Sequence, residues 1–143
     1  LSLLGSSKSR KDDDNYEVGA KIAQSIISEN PHHPGALHYL IHSYDDPDHA
    51  TLALDAANRY SKVAPDAEHA LHMPSHIFVA LGMWDEVINS NIASYEASVV
   101  RMKKKKLDND ARGYHAYKWL MYGYLQKGDF EKAREIFETN MSA

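Results

Sequence analysis

Apolar residues recur at helical spacing along most of the chain, and proline, glycine and aspartate interrupt them at regular intervals. Asn30-Pro31 and Ala64-Pro65 each close such a stretch, and the two prolines lie 34 residues apart. Between them, Leu37, Leu40 and Tyr44 share one face of a predicted helix over Gly35–Tyr44. Asp45-Asp46-Pro47-Asp48 forms a loop, and a second helix runs over Asp48–Val63 with Ala53 and Ala57 as its small packing residues. The next segment repeats the pattern with Leu71, Ser75 and Phe78, a glycine stop at Gly82, and Trp84 and Val87 opening the following helix. Tyr117, Leu120, Tyr124, Gly128, Phe130, Ala133 and Phe137 repeat it again. Gly82 and Gly128 are 46 residues apart, 12 more than the period, so the helix after Trp84 is long and ends in a polar loop near Asp108-Asn109-Asp110. Run backwards, the frame makes Asp14–Glu29 the second helix of an earlier unit, with Tyr16 in the aromatic slot and Asp12-Asp13-Asp14 as its cap.

This frame predicts a flexible N-terminal segment over residues 1–11 and a single domain over 12–143. The domain divides into a partial unit (12–31) and three full ones: 34–67, 68–111 with an extended second helix, and 114–143. One helical hairpin cannot bury its apolar face alone, so each must be covered by its neighbours. Aromatic and aliphatic side chains then fill the space between hairpins, while Ala, Ser and Gly sit where helices approach closely.

Composition narrows the chemistry. The 143 residues include no cysteine, which excludes disulfides and thiolate metal sites. Apolar content of 43% and charged content of 25% are those of an ordinary globular chain. No apolar run approaches the ~18 residues of a membrane span. A net charge of −4 argues against a nucleic-acid binder, and Lys103–Lys106 is expected as the solvated end of the long helix, where cations are favoured. There is no glycine-rich phosphate loop, no glycine-flanked serine elbow and no His-Glu-x-x-His motif, so no catalytic constellation is assigned. The chain starts at Leu1 without methionine, and a piece of a longer protein is expected. Nine histidines and nine tyrosines stand out.

The turns, the small residues and the two prolines across Tyr16–Glu138 resemble the tetratricopeptide-repeat family. The segments from His33 to Asp45 and from Ala64 to Phe78, and Tyr114–Gln126, are similar to a histidine-rich bacterial branch of that family, for which no function can be carried over. That branch has an acidic residue where this chain has Lys118, so no shared role is carried over there. The resemblance implies an all-α fold: a right-handed superhelical array of antiparallel helix pairs. First helices line a concave, His/Tyr-lined groove that holds a protein or peptide segment, so a scaffold for protein–protein interaction is the leading expectation and a metal-binding or metal-dependent module the alternative. It also implies a soluble bacterial protein, with the choice between cytoplasm and periplasm left open.

In the family frame, the groove-facing positions of the first helices carry His38 and His42, then His69, His72 and His76, then His115, Lys118 and Tyr122, with Asp45 beside them. Spacing points the same way: residues four apart on a helix share a face, and His38/His42 and His72/His76 are both such pairs. Paired imidazoles from neighbouring hairpins have the spacing to chelate a transition metal, with zinc foremost, then copper or nickel. Asp45, Glu68 or His115 would supply a further donor. Two other readings stand beside it: half-buried packing histidines next to Tyr39 and Tyr44, or imidazoles that grip a partner directly. Pro74, between His72 and His76, either kinks one helix or begins a shorter one. Self-association through uncovered terminal repeats is a further expectation.

Overall fold

The computed structural model describes residues 14–141, and among these residues the chain is helical, without strands. Helices α1 (Asp14–Glu29) and α2 (Pro34–Ser43) come first, followed by a 3₁₀ turn (Ala50–Ala53) that runs into α3 (Leu54–Val63). Next are α4 (Glu68–His72), α5 (Pro74–Ala80) and the long α6 (Trp84–Lys105). A second 3₁₀ turn (Asn109–Ala111) leads to α7 (Tyr114–Gln126) and α8 (Phe130–Met141). The predicted cap at Asp12-Asp13 and the segment 1–11 lie outside the described residues, as do residues 142–143.

Local chemistry fixes the breaks. Pro34 opens α2, where its missing amide costs nothing, and His33 Nδ1 accepts the Ala36 amide at 3.1 Å. Gly82 and Gly128 adopt φ of 69° and 75°. Their left-handed backbone lets Met83 N donate to Phe78 O at 2.8 Å and Asp129 N donate to Tyr124 O at 2.9 Å, which closes α5 and α7. Lys106 ends α6 in the same way at φ 52°, a conformation unusual for a residue with a side chain.

One expected boundary needs adjusting, and one open alternative is decided. The helix predicted from Asp48 begins later, as a 3₁₀ turn at Ala50. Asp46 Oδ1 accepts the amides of Asp48 (3.0 Å) and His49 (3.1 Å) and binds the His49 ring at 2.7 Å. That side-chain turn captures the donors a helical first turn would have used. At Pro74 the structure selects the shorter helix: α4 stops at His72, Pro74 is the first residue of α5, and Met73 stays near-helical at φ −52°, ψ −36°.

Each helix packs chiefly on those next to it in sequence: α1 on α2, α2 on α3, α3 on α4 and α5, these on α6, α6 on α7 and α7 on α8. Leu37, Ile41, Met73, Ile77 and Val87 are fully enclosed, and Ala53 and Ala57 are buried as their small size requires. Gly123 lets α7 close on α6, since a Cβ there would lie 2.9 Å from Ile88 Cγ1. Phe130 and Phe137 fit the aromatic pattern but are 65% and 52% exposed, contrary to the expectation that such residues fill the space between hairpins. Among the described residues α8 is followed by no further helix that would cover them. Among the described residues no helix is long and apolar enough to cross a membrane.

Candidate metal centre

Six of the histidines predicted to share a face come together. His38 and His42 lie one turn apart on α2, His69 and His72 on α4, His76 on α5 and His115 on α7. The break at Pro74 puts His72 and His76 on separate helices, with ring centroids 5.1 Å apart. His72 also meets His115, and their Nε2 atoms are 3.1 Å apart. Among the described residues, His72, His76 and His115 are the group whose donor atoms all lie within 4.8 Å of one another.

The hydrogen bonds behind two of these rings decide which nitrogen is available. Asn91 on α6 is fully buried, and its Nδ2 donates to the Val87 carbonyl at 2.7 Å. Its Oδ1 must therefore face His72 Nδ1, 2.7 Å away, and accept a hydrogen bond from it. His72 is thus held as the Nδ1–H tautomer, with the Nε2 lone pair turned to His115 Nε2. Asp45 Oδ2 does the same for His76 Nδ1 at 2.7 Å, which leaves the His76 Nε2 lone pair free. Carboxylate and amide partners of this kind orient imidazole ligands in metal sites.

Burial reinforces the neutral state. It pushes His72 down to about 4, against the raising effect of the Asn91 bond and with help from the neighbouring His76 and His115. His115 is lowered by burial, then by His76 and Lys118. Trp119, one turn beyond His115, walls the group, with its ring centroid 5.1 Å from His72, 4.6 Å from His76 and 5.9 Å from His115.

A second set adjoins the first. His38 Nε2 lies 3.1 Å from both His42 Nε2 and His69 Nε2. The His42 and His76 ring centroids are 6.1 Å apart, which links the two sets. His38 is pushed down to about 4 by burial and then by His42, His69 and His76. Burial also lowers His42 and His69, with His76 adding to both.

The remaining predicted residues divide. Asp45 serves as the orienting partner of His76. Glu68 is bound to Arg101, at 3.3 and 3.4 Å, and acts on His69 through its charge. Lys118 is exposed near His115 and acts on it only through its charge. Tyr122 is 44% exposed and packs its edge on Trp84, 5.8 Å between centroids. His33 caps α2 and His49 is bound to Asp46. Asn91 and Trp119 were not expected. The signal for Asn91 is a lone amide on the buried face of α6, one turn after Val87; for Trp119 it is its place one turn after His115.

No protein-family model, no curated protein and no solved structure matches the chain.

Proposed function

We propose that this chain is a tetratricopeptide-like solenoid that binds a first-row transition-metal ion, zinc foremost, through His72, His76 and His115. The observation that carries the reading is the pair of anchored Nδ1–H bonds, to Asn91 and Asp45, which leave the Nε2 atoms of His72 and His76 as lone-pair donors beside His115. Tetrahedral zinc with Zn–N bonds of about 2.0–2.1 Å separates its ligand nitrogens by about 3.3 Å, close to the 3.1 Å between His72 and His115. Neutral imidazoles are the form that binds metal, and burial favours that form here. Three protein ligands leave a fourth position for water or an incoming group.

Zinc titration of tag-free protein stripped with chelator tests this, with Trp119 fluorescence as one readout. The expected result is saturable binding that the His72→Ala/His115→Ala double variant weakens at least tenfold. Binding indifferent to both substitutions would sink the assignment.

A groove for a peptide is the second reading. What favours it is that Lys118 and Tyr122 stand exposed on α7, the helix that also carries His115. In this reading a partner's side chain completes the coordination of the ion. Capture of a peptide that persists unchanged in His42→Ala and Tyr122→Ala counts against it.

A further inference from the structure

The site at His72, His76 and His115 leaves three imidazoles unused. His38, His42 and His69 come from α2 and α4, and their Nε2 atoms meet other imidazole nitrogens. An imidazole nitrogen has a single in-plane position, filled by one proton or one lone pair. His38 Nε2 nevertheless faces two other Nε2 atoms, each at 3.1 Å. As a donor it serves only one of them. As an acceptor it offers one lone pair to two crowded N–H groups. Two nitrogens converging on a third are poorly satisfied by protons alone, and a cation shared between them satisfies all three.

We propose that His38, His42 and His69 form a second transition-metal site beside the first, so that the chain holds two ions in one imidazole-lined centre. This inference rests on the metal-binding reading of the first site and extends it. The donor set selects borderline divalent ions such as zinc, copper, nickel or cobalt, and disfavours calcium and magnesium, which take oxygen ligands. His38 already lies 3.1 Å from each of its two partners, near the ligand spacing expected around such an ion. The group of three that lies within 4.8 Å does not include this set, so His42 and His69 close towards each other when the ion enters. His69 is exposed and has room to turn. The two sets meet where the His42 ring approaches His76, and the Asp45 carboxylate stands there. Its negative charge, which also acts on His42, offsets the repulsion between neighbouring cations.

The test counts ions. Tag-free protein stripped of metal is titrated with zinc, and native mass spectrometry reads the number bound per chain, with circular dichroism to confirm helicity. The expected result is two zinc ions in the wild type, one in His38→Ala/His69→Ala and one in His72→Ala/His115→Ala. Glutamine replacements at the same positions keep side-chain volume should an alanine pair fail to fold. One ion in the wild type, lost only with His72 and His115, overturns the second site and leaves the first standing. One ion lost only with His38 and His69 overturns the first site and with it the pairing. A single ion lost with either pair means one shared site, which also overturns the proposal. With copper(II), two adjacent ions are further expected to give an electron paramagnetic resonance signal weaker than twice that of either double variant.

Discussion

Asn91→Leu separates the orientation of His72 from its identity. The two side chains share one branched skeleton, Leu being the bulkier, so the substitution removes the amide oxygen that holds His72 Nδ1–H at 2.7 Å while keeping the space occupied. His72 is only 3% exposed, so water does not readily replace the lost acceptor. A buried donor left without a partner costs about 1–3 kcal/mol, and metal-free protein should lose that much stability in urea unfolding. The ring also loses the bond that fixes its tautomer. Loss of such a supporting bond typically weakens metal binding 10–100-fold, or about 1.4–2.8 kcal/mol at about 1.4 kcal/mol per tenfold. Zinc titration measures the affinity, and nitrogen-15 spectra of the imidazoles report which His72 nitrogen carries the proton. If zinc affinity stays within twofold of wild type and the Nδ1–H form of His72 persists, the orienting role of Asn91 is refuted.

Two further outcomes are expected. His38 and His72 are held near 4, below the ordinary ~6.5 of histidine, so below that value the unfolded chain takes up protons that the folded one refuses. Their contribution is complete above about pH 6.5 and is lost as pH falls towards 4, by up to about 3 kcal/mol for the buried His72. Urea midpoints between pH 7.5 and 4.5 follow this, and a His72→Gln variant whose pH slope equals that of wild type would contradict it. Gly123→Ala forces a Cβ to within 2.9 Å of Ile88 Cγ1 and 3.4 Å of Val87 Cγ1, and the overpacked α6–α7 contact should cost about 1–3 kcal/mol in thermal or urea unfolding; an unchanged midpoint would mean the helices separate freely.

The elements were legible because their punctuation is local. Pro34, Gly82 and Gly128 act through their own backbone restrictions, and the structure places helix boundaries beside each of them. The turn at Asp46 was harder to see. Its effect depends on which amides one carboxylate captures, and the same residues also suit a helix start. At the site, helical periodicity brought His38 and His42, and then His72 and His76, to a common side. How the rings group was not legible: His115 joins His72 across 43 positions of chain, and His69 joins His38 across 31. Such pairings depend on how far one hairpin is displaced over the next, which no spacing within a helix records. Asn91 belongs to the same class, because an amide on a buried helix face acquires meaning only from the ring opposite it.

The succession of helices, each leaning mainly on the next, has a consequence for the order in which the molecule comes apart. Contacts between sequence neighbours form early and locally, whereas the imidazole junction exists only once α2, α4, α5 and α7 have all docked. Fraying of α8, with its bared phenylalanines, leaves that junction whole, while undocking of α7 takes His115 and Trp119 away together. Anything that grips the rings therefore acts as a rivet through the middle of the stack, and amide exchange should slow most in the helices it pins and least at the far end.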